Sequence, residues 1–535
     1  MTDIKVLLID GYIDDPAALG VPPYISPMVR SVAGAAIDAG AVVDYVTIDK
    51  IRNGHKIPKA DVSVVLSGNT VPGRYLRSMP MSVNEISAIL PKLSGWRLIG
   101  GSSSSSDAAE GFNFQIRTDL AASLYDGITG KEVGERLRTL DEWNRWMVLG
   151  ADIVKMHHDH PQPLIAEVET YRGCHRFMSG GCSYCIEPLK GEPLMRSPDD
   201  VLEEVSRLKE LGVRNIRIGG QTCIISYGSN DYLGIPKPKP DIVNELFISL
   251  REMKFDVLHV DNANPAVIAE HRNESGSILE TLAECCTPGN VLALGMESAD
   301  INVIRANNLN STPEQVITAV RMINEIGSER GENGMPKLLP GLNLISGLDG
   351  ETVKTNAANV ELLKRLLAED LMVRRINIRQ VLPVRREFET KVDHNKFKKY
   401  KQEVRENIDA PMLRRIVPVG TIMKNVYLEI DDNGITFGRQ IGTYPILIGI
   451  PYRTELNRFC DVVVTEHGFR SITGIEFPFP INRASMSAIS SLPGIGKKRA
   501  AKIVLSRPFR NAEEFTAAVD DASVAERLIH MVTFE

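Results

Sequence analysis

Hydrophobic and polar positions in the first 150 residues alternate between short apolar runs and amphipathic segments. A helix is predicted to begin after Ser26, a residue that favours the N-cap position, with Pro27 in its first turn, and to end at Gly40. Apolar strands are predicted at Lys5–Ile9, Val42–Ile48, Val62–Leu66 and Trp96–Ile99. Strands that alternate with helices and end in Gly-rich loops indicate a doubly wound parallel sheet. We therefore expect residues 1–150 to form a Rossmann-like α/β domain.

The middle of the chain repeats this alternation. Six further strands are predicted at Leu164–Glu169, Asn215–Ile218, Val257–Val260, Val291–Met296, Leu339–Ser346 and Arg374–Val381. Helices between them begin with capping patterns, such as Thr312-Pro313-Glu314-Gln315. Six strand–helix repeats are too few for an eight-stranded barrel. They predict an open, partial (βα)6 barrel over residues 160–390, with its site at the carboxyl ends of the strands.

The last third of the chain changes character after a charged helical stretch at Lys391–Glu406. Alternating positions and turn residues predict a small β-barrel over residues 410–480, with strands at Ile422–Ile430, Ile435–Phe437, Tyr444–Ile450 and Asp461–Thr465. Residues 481–535 are predicted to be helical.

Composition narrows the class of protein. The chain has 535 residues and a formal net charge of −6, so contact with nucleic acid would require a local basic patch. We expect a soluble, cytoplasmic protein without a membrane segment, because the sequence begins without the pattern of a signal peptide and no apolar run approaches the ~20 residues that span a bilayer.

Three of the seven cysteines, Cys174, Cys182 and Cys185, follow the first predicted barrel strand. Thiolates are soft ligands that suit iron–sulfur clusters and zinc. Three cysteines favour a 4Fe-4S cluster with one open iron, because a structural zinc site closes four ligands. The alternative is a zinc site whose fourth ligand would be one of the histidines nearby, His157, His158, His160 or His175.

The cysteine segment resembles the radical S-adenosylmethionine (SAM) superfamily. That superfamily carries Cys-x3-Cys-x2-Cys with an aromatic residue before the last cysteine, the place that Tyr184 occupies here. Seven residues separate Cys174 from Cys182, and longer first gaps occur in branches such as the elongator-type radical SAM acetyltransferases. The resemblance implies a 4Fe-4S cluster that chelates SAM and, once reduced, cleaves it to a 5′-deoxyadenosyl radical.

Three downstream segments extend the resemblance. Gly219-Gly220-Gln221 is similar to a Gly-Gly-Glu element that holds the SAM amino group, and Gly295-Met296-Glu297-Ser298 to a Gly-x-Glu-Ser element. The segment Gly347–Thr352 resembles Gly-Leu-Pro-Gly-Glu-Thr, with Asp349 in place of Pro. The resemblance implies SAM contacts from Tyr184, Gly219, Gly220, Gln221 and Glu297. The alternatives are a packing role for Tyr184 and a structural carboxylate at Glu297.

The first 150 residues resemble the cobalamin-binding-like domain that precedes many radical SAM cores. They contain no Asp-x-His-x-x-Gly segment, and cobalamin is possible without one; a domain that only packs on the barrel is the preferred interpretation. No cysteine precedes Cys174, which argues against a methylthiotransferase of the usual kind. The serine run Ser102–Ser106 is interpreted as a flexible surface loop in preference to a ligand loop.

Residues near the carboxyl end resemble a helix-hairpin-helix motif, carried by Gly494, Gly496, Lys497 and Lys498. Seven Lys or Arg and no Asp or Glu lie between Arg483 and Arg510, a pattern typical of contact with a nucleic-acid backbone. A hairpin that packs on protein is the alternative. The β-barrel segment resembles the TRAM barrel of RNA-modifying radical SAM enzymes, and the order of the four parts resembles an archaeal group of radical SAM proteins.

These patterns favour a radical SAM enzyme that modifies RNA such as tRNA, binds it through the C-terminal domains and takes electrons from a donor protein. Two other hypotheses remain at this point. One is a cobalamin-dependent radical SAM methyltransferase that acts on a protein or a small molecule. The other is a cluster-bearing nucleic-acid-binding protein without radical chemistry.

Overall fold

A computed structural model describes residues 4–14, 19–68 and 75–535 of the chain. These divide into two compact units, residues 1–287 and residues 288–535. The three predicted barrel strands nearest the amino terminus lie in the first unit, and the other three lie in the second.

The first unit alternates strands and helices along most of its length. Its strands are β1 (Lys5–Asp10), β2 (Tyr24–Ile25), β3 (Val42–Thr47), β4 (Val62–Leu66), β5 (Trp96–Gly100), β6 (Phe114–Gln115), β7 (Ile165–Glu169), β8 (Tyr171–Arg172), β9 (Leu194–Met195), β10 (Asn215–Gly219) and β11 (Val257–Val260). Its helices are α1 (Pro27–Asp38), α2 (Ile48–Arg52), α3 (Val83–Ile89), α4 (Leu120–Ile128), α5 (Leu140–Leu149), α6 (Pro198–Glu210), α7 (Pro240–Glu252), α8 (Pro265–Glu270) and α9 (Arg272–Cys285).

The N-terminal sheet is parallel throughout, in the order β3-β1-β4-β5-β6. Strands β1 and β4 are almost entirely buried, as expected for a parallel sheet covered on both faces. Helix α1 begins as predicted, because the Ser26 side chain accepts a hydrogen bond from the Met28 N–H. The prediction of an α/β chain built on parallel sheets is confirmed.

A second sheet contains strands from both sides of the predicted boundary near residue 155. Its order is β11-β10-β7-β2, and the short strand β2 pairs in parallel with β7. Helix α1 reinforces the connection, because the guanidinium group of Arg30 binds the carboxylate of Glu204 in α6 and the carbonyl of Glu167 in β7. The N-terminal segment and the first half of the barrel-like region therefore share one sheet and one core.

The serine run is an ordered turn in which Ser102 and Ser105 are exposed, as the interpretation of a surface loop predicts, and two other serines are buried. Residues 102–105 form a 3-10 turn in which Ser103 and Ser104 are 2% exposed. The Ser103 hydroxyl donates to the carbonyl of Gly68, and its backbone N–H donates to the carbonyl of Ser67. Serine is small enough to be buried once its hydroxyl finds a partner, which composition alone does not reveal.

The second unit continues the alternation and then changes to antiparallel strands and helices. Its strands are β12 (Asn290–Glu297), β13 (Leu338–Ser346), β14 (Arg375–Gln380), β15 (Ile422–Asp432), β16 (Ile435–Gln440), β17 (Leu447–Ile450), β18 (Phe459–His467), β19 (Ser471–Phe477), β20 (Phe479–Pro480) and β21 (Val532–Thr533). Its helices are α10 (Ile301–Ala306), α11 (Pro313–Gly327), α12 (Thr355–Ala368), α13 (His394–Val404), α14 (Ala410–Ile416), α15 (Met486–Ser490), α16 (Lys497–Leu505), α17 (Ala512–Val519) and α18 (Ala522–Ile529).

Strands β12, β13 and β14 form a parallel three-stranded sheet. The predicted small barrel is confirmed as a closed five-stranded barrel in the order β15-β16-β17-β19-β18. Strand β19 was missed in the sequence. Strand β17 begins later than predicted because Tyr444 has a left-handed backbone, with φ at 52°, and Pro445 follows it.

Within the described ranges, no helix is both long and apolar enough to cross a bilayer.

Candidate metal centre and cofactor site

The three clustered cysteines lie on a single loop that is closed at its base. Strands β8 and β9 form a short antiparallel pair, with Tyr171 opposite Met195 and Arg172 opposite Leu194. The loop between them leaves the sheet just after β7, the first strand of the barrel-like region. Such a position, at the carboxyl end of a parallel strand, is where barrels place their chemistry.

Local hydrogen bonds fold the loop into successive turns. The Phe177 N–H donates to the carbonyl of Cys174, and the Cys185 N–H donates to the carbonyl of Cys182. Gly181 has a φ of 58°, and a side chain there would overlap the ring of Pro188. The wide gap between the first two cysteines is thus taken up by tight glycine turns, which keep all three thiols on one loop.

The thiols are half-buried and lie near a positive charge. Arg176 Nη1 donates to the sulfur of Cys182 at 3.3 Å, a contact that favours the thiolate. Burial raises the pKa of the Cys174 thiol, and the backbone N–H and the charge of Arg176 oppose that rise. Partial burial with an arginine donor suits three thiolates that hold an iron–sulfur cluster, so the residues present fit that group.

A zinc site would need a fourth ligand besides the three thiols. In the part of the chain that the structure describes, His157, His158 and Asp159 form a group whose possible metal-ligating atoms lie within 4.8 Å of one another. His175 does not supply the missing ligand, because it is buried with Nε2 at 3.0 Å from the carbonyl of Ser229.

The His157 group is itself explained by internal bonds. His157 Nδ1 accepts from the Asp159 N–H, so its buried Nε2 carries the proton and has no lone pair to offer a metal. Both oxygens of Asp159 accept from Arg77, at 3.0 and 2.7 Å. Burial also holds the pKa of His157 well below its ordinary value, in keeping with a neutral structural histidine.

The predicted SAM segment after β10 is tightly packed. A side chain on Gly219 would overlap the Glu167 carboxylate, and one on Gly220, where φ is 78°, would lie 2.8 Å from Cγ of Glu169. The Gln221 side chain is buried, and its amide donates to the carbonyls of Ile218 and Asp261. The two glycines are therefore required by close packing, and Gln221 joins the ends of β10 and β11.

Glu297, at the end of β12 in the second unit, has a strained backbone. Its φ is 59°, a value that side chains other than glycine adopt at a cost, and the pairing of β12 with β13 shifts register there. The residue is 6% exposed. Residues held in such backbone conformations cluster at functional sites, so the strain makes Glu297 a candidate functional residue.

The segment after β13 forms a turn in which backbone N–H groups donate to a glutamate carboxylate. Glu351 Oε1 accepts from the N–H groups of Gly347 and Leu348, at 2.8 and 3.2 Å. Asp349, which stands where proline is usual in the related segment, forms an ion pair with Arg386 at 2.8 Å.

The crevice where the strand order of the N-terminal sheet reverses is the place for a ligand in such folds. The described residues there pack against one another. A side chain on Gly11 would lie 2.9 Å from Cβ of Ser67 and 3.1 Å from Cβ of Met81. The Met81 N–H donates to the Gly11 carbonyl, and the Gly68 N–H donates to the Tyr12 carbonyl. These contacts hold the carboxyl ends of β1 and β4 together.

The predicted nucleic-acid segment forms two helices, α15 and α16, joined by a short turn. Gly494 has a φ of 82° and packs against Val524, whereas a side chain on Gly496 would meet nothing within 4 Å. Lys497 and Lys498 are exposed at the start of α16. Arg499 and Lys502 are paired with Asp520 and Asp521, so the fold neutralises part of the basic run.

A buried network of charges was missed in the sequence. Arg217 in β10 binds the carboxylates of Glu167 and Asp261, all at most 3% exposed. Arg30 and Arg196 share the carboxylate of Glu204, and all three side chains are fully buried. Such ion pairs are hard to predict because the elements that carry them are mostly apolar. The sequence signal for them is a single charged residue inside an otherwise buried strand or helix.

Comparison with known proteins agrees with this architecture. The Radical SAM superfamily model matches residues 168–363. An uncharacterized protein of Methanocaldococcus jannaschii is 42% identical over 507 residues, which cover 88% of this chain and 93% of the relative. A protein of Archaeoglobus fulgidus is 36% identical and covers 96% of this chain and 97% of its own length. The predicted archaeal relationship is confirmed.

More distant similarities extend beyond these relatives. The tRNA-2-methylthio-N(6)-dimethylallyladenosine synthase of Thermus thermophilus is 23% identical over 327 residues, 59% of this chain and 64% of that enzyme. Among solved structures, the cobalamin-dependent SAM radical enzyme OxsB is 13% identical, with a TM-score of 0.48 over 76% of this chain and 56% of its own.

The fold, the cysteine loop and the family match define the chain as a radical SAM enzyme. Because 42% identity extends over nearly the whole of both sequences, the chain belongs to the same family as the Methanocaldococcus jannaschii protein. Membership of the superfamily implies a 4Fe-4S cluster and SAM.

Proposed function

We propose that Cys174, Cys182 and Cys185 hold a 4Fe-4S cluster whose fourth iron binds SAM, and that the enzyme modifies RNA, tRNA among the candidates. The observation that carries the first part is the presence of three half-buried thiols on one glycine-turned loop within the superfamily segment. With SAM bound, a reduced cluster of this kind supplies a 5′-deoxyadenosyl radical. The electron comes from a donor protein.

The residues of this chain orient SAM around that cluster. Tyr184, half-buried between the second and third cysteines, contacts the adenine. The backbone of Gly219 and Gly220 contacts the amino-acid end of SAM in this proposal, and Gln221 holds the turn in place through its two amide bonds. The resemblance to the Gly-x-Glu-Ser element proposes Glu297, on its strained bulge, as a further residue that SAM cleavage requires.

An RNA substrate is supported by the C-terminal part of the chain. Gly496 precedes a helix start with open space in place of a side chain, and Lys497 and Lys498 are exposed beside it. Backbone N–H groups at such a helix start, with lysines next to them, bind phosphate well. The similarity to a synthase that acts on tRNA points in the same direction. The absence of cysteine before Cys174 distinguishes the reaction proposed here from methylthiolation.

The experiment has two stages. The protein is reconstituted anaerobically with iron and sulfide, and 5′-deoxyadenosine is measured by mass spectrometry after addition of SAM and dithionite. Wild type is expected to produce it, Cys182→Ser to lose it together with most of its iron, and Cys460→Ser to retain both. Cys460 is a matched control, because it is also half-buried but lies in the barrel strand β18.

In the second stage, total tRNA from a strain that lacks the gene is added, and its nucleosides are compared by mass. A new nucleoside that depends on SAM and on Cys182 supports the RNA assignment. Cluster formation without 5′-deoxyadenosine, with or without tRNA, would instead favour a binding protein that has lost radical chemistry. SAM cleavage without any change in tRNA or other RNA would refute the proposed substrate while leaving the radical chemistry intact.

A further inference from the structure

Four arginines of the second unit lie close together beside one carboxylate, away from the residues assigned to the iron–sulfur cluster, to SAM or to nucleic acid. Arg470 Nε lies 3.5 Å from Asp409 Oδ2, and Asp409 is 10% exposed. Arg374 and Arg405 are close enough to act electrostatically on the same carboxylate, and Arg375 acts on both Arg374 and Arg470. We call Arg374, Arg375, Arg405 and Arg470 the arginine cluster.

Three distant parts of the sequence build this cluster. Arg374 and Arg375 lie at the start of β14, and Arg470 precedes β19 in the barrel. Arg405 and Asp409 begin and end a π-helical turn at residues 405–409 between α13 and α14. π-Helical turns are rare and are found frequently at functional sites, because the extra residue per turn disturbs helix packing and must be compensated.

Tyr444 supplies a second strained element at the same place. Its backbone lies in the left-handed region, with φ at 52°. The carbonyls of Tyr444 and Pro445 both accept from Nη2 of Arg374, at 3.1 Å each. The Tyr444 ring lies 3.7 Å from the guanidinium carbon of Arg375. Arg374 thus fixes the strained turn, and the turn holds the Arg375 guanidinium flat against an aromatic face.

Positive charge in the cluster exceeds what the protein itself neutralises. In the ranges that the structure describes, Arg374, Arg375 and Arg405 have no carboxylate within ion-pair distance. Asp409 forms its ion pair with Arg470, at 3.5 Å. Burial lowers the pKa of Arg374 to about 10, with Arg470 adding to that effect, and burial raises the pKa of Asp409 to about 6 against the pull of the arginines. Lys401 in α13 adds a further cation, whose pKa is lowered by burial and by repulsion from Arg405 and Arg470.

Like charges held together by strained backbone are unfavourable in the free protein, and an external anion relieves the repulsion. Arginine is the side chain best suited to phosphate, because its planar fork donates two parallel hydrogen bonds. Arg470 is 41% exposed, and Arg375 and Arg405 are half-buried, so solvent reaches the cluster from outside.

We propose that the arginine cluster binds a phosphodiester of the RNA substrate, with Arg375, Arg405 and Arg470 as the contacting side chains and Arg374 as the residue that positions Tyr444. This inference rests on the proposed function. It adds a phosphate site at the junction of β14, the π-helical turn and the barrel, separate from Lys497 and Lys498.

Binding of fluorescently labelled tRNA to the full-length, cluster-loaded protein tests the site. Four variants are compared with wild type across a range of salt concentrations: Arg375→Ala/Arg470→Ala, Arg470→Ala, Lys497→Ala/Lys498→Ala, and Arg321→Ala. Arg321 in α11 is a matched control, since it is 42% exposed and its ion pair with Glu369 at 2.7 Å satisfies its charge. Arg470→Ala alone is included because Arg374 and Arg405 still act on Asp409 in that variant, so its fold is retained.

We expect Arg375→Ala/Arg470→Ala to weaken tRNA binding at least tenfold and Arg470→Ala several-fold, with Arg321→Ala unchanged. The double variant should also reduce the slope of log affinity against log salt by between about one and two, as expected for two lost phosphate contacts. If Lys497→Ala/Lys498→Ala weakens binding while both arginine variants bind as wild type, the arginine cluster is refuted and the proposed function stands. If wild type does not bind tRNA or other RNA, the arginine cluster and the proposed RNA substrate are both refuted, and the radical chemistry is left intact.

Discussion

At the scale of single residues, two substitutions of Glu297 distinguish the effect of its backbone strain from the effect of its carboxylate. A left-handed backbone costs a residue with a Cβ roughly 1–2 kcal/mol relative to glycine. Glu297→Ala and Glu297→Gly both remove the carboxylate, and only the second relieves the strain. We expect both variants to lose most 5′-deoxyadenosine formation, with the glycine variant more stable than the alanine variant by about 1 kcal/mol. Thermal melting together with a SAM-cleavage assay checks both statements, and wild-type activity in either variant would contradict the assigned role.

The titration of Asp10 leads to a prediction of how the free energy of unfolding depends on pH. Burial raises the pKa of Asp10 to about 6, although the Tyr45 hydroxyl and the Tyr12 N–H donate to it. The folded state therefore binds a proton more tightly than the unfolded state, whose carboxyl titrates near 4. The stabilisation from Asp10 is fully present below pH 4 and is lost as pH rises through about 6, an effect of about 3 kcal/mol.

Asp10→Asn removes this titration. Urea denaturation of wild type and variant at pH 5 and pH 8 should show that the variant loses less stability over that interval, and that it is relatively more stable at pH 8. Asp44 is a control of the same type on strand β3, where it is exposed. A pH dependence of Asp10→Asn equal to that of wild type would show that Asp10 does not titrate as described.

At the scale of elements, the glycines after β10 carry a prediction about packing. Gly220→Ala would place a methyl group 2.8 Å from Glu169 with φ at 78°, so we expect a loss of about 1–2 kcal/mol or more in unfolding free energy. Gly276 lies within α9, where a methyl group meets nothing within 4 Å. Gly276→Ala should therefore stabilise the protein by about 0.5–1 kcal/mol. Urea midpoints measure both, and destabilisation by the two variants to the same extent would contradict the packing argument.

Elements were more predictable than the contacts between them. The predicted barrel strands agree with the observed ones to within one residue at most ends, because buried parallel strands appear as continuous apolar runs. Capping patterns located α6 and α11, since their serine and threonine side chains make local bonds. Strand β2 could not be predicted, because two residues show no periodicity. Its partner β7 lies 141 residues later in the sequence, since Tyr24 pairs with Ile165.

The candidate site divides in the same way. The cysteines, Tyr184 and the glycine turn follow from short local patterns, because a single loop supplies them. The arginine cluster depends on residues 374, 405 and 470, which only the tertiary fold brings together. Tyr444 was assigned to a strand because its neighbours alternate, whereas its left-handed backbone depends on hydrogen bonds from Arg374.

At the scale of the whole molecule, buried charge connects the N-terminal segment to the barrel-like region. Arg30 in α1 and Arg196 before α6 both bind Glu204, and Trp143 in α5 packs within 5.7 Å of Arg196. A carboxylate between two fully buried guanidinium groups compensates charges that would otherwise lie unpaired in the core. The first unit is therefore expected to respond as one body to substitutions on either side of residue 155.

Two substitutions test this coupling: one removes the shared carboxylate, and the other removes one of the two arginines that bind it. Glu204→Gln leaves both Arg30 and Arg196 buried without a carboxylate, so we expect a loss of about 3–5 kcal/mol in unfolding free energy. Arg30→Met leaves the Arg196–Glu204 pair intact and should cost clearly less, even though the bond from Arg30 to the Glu167 carbonyl is lost. If the N-terminal segment instead folded apart from the barrel-like region, Glu204→Gln in α6 would leave the unfolding of the N-terminal segment unchanged. Urea unfolding followed by tryptophan fluorescence, which reports on the buried Trp143 and Trp146, distinguishes the two cases.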